Sequence, residues 1–233
     1  MPNLVVLAQD TEVPPAAPAA PTADAPAELK TVEQKMGYAI GLNIGQNLKR
    51  QQMDLDPQAI ALGIAHVLAG KEPLITMEQI QAASAEYDQI REQQRVKLGA
   101  ENKAAADKFL TENIKKDGVK VTKSGLQYVV LKEGTGATPT EENTVSTHYR
   151  GKLLTGKVFD ESYTGEVPTA DESPVSFGVT QVISGWTEAL QLMKVGAKYR
   201  LFIPPAMAYG ENGPPGIGPN SLLIFDIELI SVK

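Results

Sequence analysis

The sequence contains no cysteine, which excludes disulfides, thiolate nucleophiles, thiolate zinc sites and iron–sulfur clusters together. Histidine is nearly as scarce, with two in 233 residues, so Ser-His-Asp chemistry and multi-histidine metal centres lack raw material. No apolar run approaches the roughly 18 residues that a membrane-spanning helix requires. The formal net charge is −6, whereas a general nucleic-acid or anionic-membrane binder needs a basic surface. Neither a phosphate-binding glycine loop nor a nucleophile elbow occurs. What is present is core material: 42% of the residues are hydrophobic, in a chain long enough for one large domain or two ordinary ones.

Residues 1–28 read as a tether. Pro14 to Ala27 is Pro and Ala apart from Thr22 and Asp24, a composition that is extended, semi-rigid and unable to bury a core. The short apolar run Leu4-Val5-Val6-Leu7 ends in the small Ala8, as before a signal cleavage site, but no positive residues precede it. Export is the expectation, with a short disordered cytoplasmic tail as the alternative.

Residues 29–117 carry helix punctuation. Thr31-Val32-Glu33-Gln34 and Thr76-Met77-Glu78-Gln79 are capping boxes, and Asp56-Pro57 pairs an N-cap with proline at the first helical position. With Gly70 closing the middle segment, helices are predicted over 31–52, 57–69 and 77–116. Met36, Ile40, Ile44 and Leu48 make an apolar stripe beside a row of Gly37, Gly41 and Gly45, which invites close approach by another helix. Helices this unequal cover each other poorly, so a homodimer through residues 29–90 is expected. The third helix, roughly 60 Å long at 1.5 Å per residue, has few apolar residues between Arg91 and Lys103 and reads as a solvent-crossing strut.

From Gly118 the texture changes to glycine, proline and short β-branched or aromatic runs. Strands are predicted over 119–131, 144–154, 175–179, 197–204 and 222–232, with one short helix from Trp186 to Met193. Leu223, Phe225, Ile227 and Leu229 alternate with Asp226 and Glu228, giving one buried and one wetter face. The expected class is α+β: an all-helical N-terminal dimerisation domain (29–117) with a long linking helix. An antiparallel sheet curled around one short helix (118–233) follows.

Polar catalysis finds little support. His148 falls in a strand and His66 in a helix, both read as ordinary structural or surface residues, and the acid pairs Glu141-Glu142 and Asp171-Glu172 as solvated. Aromatics are instead dense among the turns. His148-Tyr149-Arg150-Gly151, Gly156-Lys157-Val158-Phe159-Asp160, Gln181 to Trp186, Ala208-Tyr209-Gly210 and Leu223-Ile224-Phe225-Asp226 follow one another in order. Over about 119–233 this series resembles the FKBP-type peptidyl-prolyl cis-trans isomerases, and the helical region resembles the N-terminal domain of their Mip-like members.

The resemblance implies an enzyme that accelerates Xaa-Pro isomerisation in unfolded or folding proteins, with no cofactor and no metal. A dimer at the periplasm or outer membrane, and macrolides as inhibitors, are implied with it. It also implies a site. Trp186 forms the floor; Tyr149, Phe159, Val182, Ile183, Tyr209 and Phe225 line the walls, with Phe177 beside them and Ile217 overhanging. The Ile183 N–H and the Tyr209 hydroxyl donate to the peptide, and a buried Asp160 sits beside the Tyr149 hydroxyl. The sequence departs from the family pattern at Val175, Ser184, Pro214 and the long Tyr163–Glu172 loop. A non-catalytic module that holds proline-containing segments in the same pocket is the alternative.

Overall fold

The computed structural model describes residues 28–233, so the expected tether and signal-like run lie outside the described residues except for Glu28. The chain divides into two compact units, the first ending at Asn47 and the second running from Leu48 to Lys233.

The helix starts are where the capping chemistry puts them. α1 (Val32–Arg50) follows Thr31, whose hydroxyl accepts from the Gln34 N–H at 3.2 Å while the Gln34 side chain accepts from the Thr31 N–H at 3.2 Å. α2 (Pro57–Leu68) follows Asp56, whose carboxylate accepts from the Gln58 N–H at 2.8 Å. α3 (Met77–Asn113) opens on the reciprocal Thr76/Gln79 box. Neither α1 nor α2 has a buried residue.

The sheet has seven strands: β1 (Lys120–Val121), β2 (Gln127–Lys132), β3 (Thr144–Leu153), β4 (Val158–Glu161), β5 (Val175–Gly178), β6 (Lys198–Ile203) and β7 (Leu223–Val232). Its order is β1-β2-β6-β7-β3-β4, with β5 also on β3, and every pair is antiparallel. The strand predicted over 119–131 is two, because a turn at Thr122–Leu126 folds β1 back on β2. β4 was not predicted; it forms by pairing with β3 across the Gly156 turn. The short helix α4 (Ser184–Leu190) begins and ends earlier than predicted, yet Met193 beyond it is still fully buried. Trp186, Ala189, Leu190 and Met193 pack on Val145, Leu201, Ile227 and Leu229 in the core. Each such large side chain contributes about 1.5–3 kcal/mol on burial.

The strut expected at Arg91–Lys103 is not free. The far half of α3 docks on the β module along Arg95, Gly99, Asn102, Ala106, Phe109 and Asn113. Arg95 donates to the Glu211 carbonyl at 2.9 Å and Asn102 to the Pro219 carbonyl at 2.8 Å. Ala106 is fully buried, and the Phe109 ring meets Phe202 at 5.5 Å. Asn113 donates to the Gln127 side chain at 3.0 Å, which in turn donates to the Leu110 carbonyl at 2.9 Å. The outer face of the sheet is wet only in part. Asp226 there forms a forked pair with Arg200 (2.6 and 2.8 Å), while Phe202 is covered.

Candidate active site

The site forms where β3 changes partners. Its first half pairs with β5, ending at Thr147↔Val175, and its second half pairs with β4 from Arg150↔Glu161. Tyr149 lies at the split, and Ser162 fills the gap: its hydroxyl accepts from the Tyr149 N–H at 2.8 Å. His148, on the opposite face, is buried with Nδ1 3.3 Å from the Ser162 hydroxyl and its ring edge-on to Tyr163, a structural role.

α4 carries Trp186 under this opening. The indole is met edge to face by Tyr149 (5.2 Å), Phe177 (5.7 Å) and Phe225 (5.1 Å), so four rings fix one another. Above it is a hollow of about 410 Å³ lined by Tyr149, Asp160, Phe177, Gln181, Val182, Ile183, Trp186, Tyr209 and Phe225. Trp186 is almost wholly buried, and its Nε1–H has no hydrogen-bond partner among the described residues.

Polar groups stand at the rim. The Tyr149 hydroxyl donates to Asp160 Oδ2 at 3.0 Å; burial, then the facing carboxylate, pushes its pKa up to about 12. Asp160 itself is exposed, not buried as expected, because the four-residue β4 ends at the open side of the split. The Ile183 N–H donates to no acceptor among the described residues, while its carbonyl accepts from the Trp186 and Thr187 N–H groups that open α4. Tyr209, 43% exposed, lies between two short 3-10 turns.

Two predicted residues stand outside this lining. Phe159 meets Phe225 edge to face at 5.5 Å and backs that wall. Gly151 permits the arrangement: a Cβ there would come within 2.6 Å of the Phe225 ring and 2.8 Å of Phe159. Ile217 packs half-buried against the core cluster, with its N–H on the Pro214 carbonyl at 3.0 Å. Gln181 was not predicted as a site residue, although it begins the Gln181–Trp186 motif; its side chain accepts from the Gly178 N–H at 3.3 Å. At the departures, Ser184 ties α4 to the Met207 carbonyl at 3.1 Å, and Phe177 rather than Val175 supplies the ring from β5.

Larger hollows exist elsewhere, of about 470 Å³ on the outer sheet face and about 590 Å³ beside α3. Neither combines an aromatic box with unpaired donors. Among the described residues no cluster of His, Asp and Glu could hold a metal ion, and no helix is long and apolar enough to cross a membrane.

The arrangement can hold a small rigid apolar ring on Trp186 and donate hydrogen bonds at its edge. Residues 33–130 match the family model described as the domain amino terminal to FKBP-type peptidyl-prolyl isomerase, and residues 136–230 match FKBP-type peptidyl-prolyl cis-trans isomerase. The FKBP-type peptidyl-prolyl cis-trans isomerase FkpA of Aeromonas hydrophila is 43% identical, covering 93% of this chain and 83% of that protein. The outer membrane protein MIP of Legionella longbeachae is 40% identical over 88% of each. The crystal structure of FkpA from Escherichia coli has a TM-score of 0.63 at 36% identity, covering 88% of this chain and 99% of that one. The chain therefore belongs to the FKBP-type peptidyl-prolyl cis-trans isomerases and is an enzyme of that activity.

Proposed function

We propose that the Trp186 pocket is the catalytic site, and that it turns Xaa-Pro bonds of unfolded or folding proteins. The observation that carries this is the ring box around Trp186 with the Ile183 N–H and Tyr209 hydroxyl at its edge. Rotation about the peptide C–N bond has a barrier of roughly 18–20 kcal/mol because twisting destroys amide resonance. For Xaa-Pro the two isomers differ by only about 0.5–1 kcal/mol, so the problem is kinetic. No bond to a side chain is needed. A dry aromatic pocket favours the twisted, less charge-separated amide over the planar one, which is complementarity to the transition state. Proline sits on Trp186 against Tyr149, Val182, Phe177 and Phe225, with Phe159 behind and Ile217 above. The Ile183 N–H and Tyr209 hydroxyl fix the peptide, and Asp160, held by the Tyr149 hydroxyl, faces the rotating carbonyl. Macrolides that present a flat apolar ring compete for the same box.

The helical region 29–117 serves association, and 118–233 the chemistry. Val32, Met36, Ile40, Leu62 and Val67 are all exposed on α1 and α2, which supports a homodimer through residues 29–90. The relative named outer membrane protein MIP supports an outer-membrane association of this chain. Chelator-treated protein is expected to accelerate a protease-coupled Xaa-Pro tetrapeptide at its untreated rate. Activity that needs added metal contradicts the mechanism.

A further inference from the structure

We propose that Asn102 on α3 is a positioning residue for the reaction: it fixes the loop from Tyr209 to Ser221, and through it Tyr209 and Ile217. This rests on the reading that those two residues face substrate. The loop contains Pro214, Pro215 and Pro219, so its backbone is short of N–H donors and rich in carbonyls that need them. α3 supplies donors. Asn102 Nδ2 donates to the Pro219 carbonyl at 2.8 Å and to the Ser221 hydroxyl at 3.3 Å, and that hydroxyl donates to the Ile217 carbonyl at 2.7 Å. One amide thus reaches Ile217 through a single intermediary.

The same contact secures Tyr209. Next to Pro219, Asn220 holds a left-handed backbone (φ 50°), which costs energy and persists only where its surroundings enforce it. Its N–H closes the loop on the Gly210 carbonyl at 2.7 Å, one residue from Tyr209, and its side chain donates to the Gly99 carbonyl on α3 at 3.4 Å. Across the loop, a Cβ on Gly213 would fall 1.8 Å from the Gly218 carbonyl oxygen, so these two segments lie tightly together as one piece. Between that piece and α3 lies the hollow of about 590 Å³, lined by Arg95, Leu98, Gly213, Pro215 and Pro219 among others. Beside that hollow the loop touches α3 at the buried Gly218 and Pro219, which lie against Leu98 and Gly99, and there the partly buried Asn102 adds its donors to the packing.

The test is steady-state isomerisation by the full-length Asn102→Ala and Asn102→Asp proteins, with Arg95→Ala and Tyr209→Phe in parallel. Aspartate keeps the size and can accept from Ser221 but cannot donate to the Pro219 carbonyl. Both Asn102 variants are expected to lose about three- to tenfold in kcat/KM, the range of one net hydrogen bond. The loss should lie mainly in KM and differ between peptides with large and small residues before proline, with the melting temperature near that of the parent. In Asn102→Ala, Tyr209→Phe should cost less than it does in the parent, the coupling of residues that act together. If Asn102→Ala unfolds, Arg95→Ala, which touches only the Glu211 carbonyl of the loop, must show the same KM-weighted loss. Unchanged kinetics, or an equal loss for all peptides with additive Tyr209→Phe, overturns the proposal. Should Tyr209→Phe alone have no effect, the reading of the site itself fails, which is a different outcome.

Discussion

Tyr149 keeps its proton through the range in which an ordinary tyrosine ionises. Burial and Asp160 raise its pKa from 10.0 to about 12. Below pH 10 the phenol is protonated in both folded and unfolded chains, and its full contribution to stability is present. Between about 10 and 12 the unfolded chain ionises first, so stability falls as pH rises. Tyr163 and Tyr199 shift in the same direction, so the comparison that isolates Tyr149 is with Tyr149→Phe. Urea midpoints of the parent should fall more steeply across that window than those of the variant; parallel curves contradict the hydrogen-bonded assignment. Gly151 gives a second prediction. Gly151→Ala places a methyl against Phe225 and Phe159 and should cost about 1–3 kcal/mol by overpacking, with a larger loss of catalysis, measured by melting and peptide assay. Tyr149, Trp186 and Phe225 were legible as a group because their motifs stand in order. The exposure of Asp160 was not, because nothing in Phe159-Asp160-Glu161 shows that β4 stops at an open edge.

At the scale of elements, the helix starts could be read from capping chemistry, and β7 from its alternation. The docking of α3 could not. Arg95, Gly99, Asn102, Ala106, Phe109 and Asn113 are spaced four and three apart, so they share one face, yet only Ala106 and Phe109 are apolar. A pattern sought in hydropathy misses a face whose business is to give donors to proline-rich carbonyls and to let backbones approach. β1 and β4 were missed or merged because two- and four-residue strands are defined by their partners more than by their own sequence. Ala106 tests the docking. Ala106→Leu, at a fully buried contact, should destabilise by about 1–3 kcal/mol, whereas a free strut would accept leucine without loss.

At the scale of the whole molecule, the chain carries an exposed apolar helical surface as well as a self-contained pocket. Met36 and Ile40 are 57% and 56% exposed, and a Cβ at Gly37, Gly41 or Gly45 would meet nothing within 4 Å. A two-fold partner satisfies both copies of such a face at once. Sedimentation should show a dimer at micromolar concentration and a monomer for Ile40→Glu, with tetrapeptide turnover little changed; a monomeric parent contradicts it. The central claim is that turnover arises in the Trp186 pocket. It is tested most directly by kcat/KM for one Xaa-Pro peptide with Phe159→Tyr, Asp160→Leu and Tyr209→Phe, each melting near the parent. The account predicts losses of about tenfold, or roughly 1.4 kcal/mol of barrier, in the last two and a smaller loss in the first. Parental efficiency in all three would place the chemistry elsewhere.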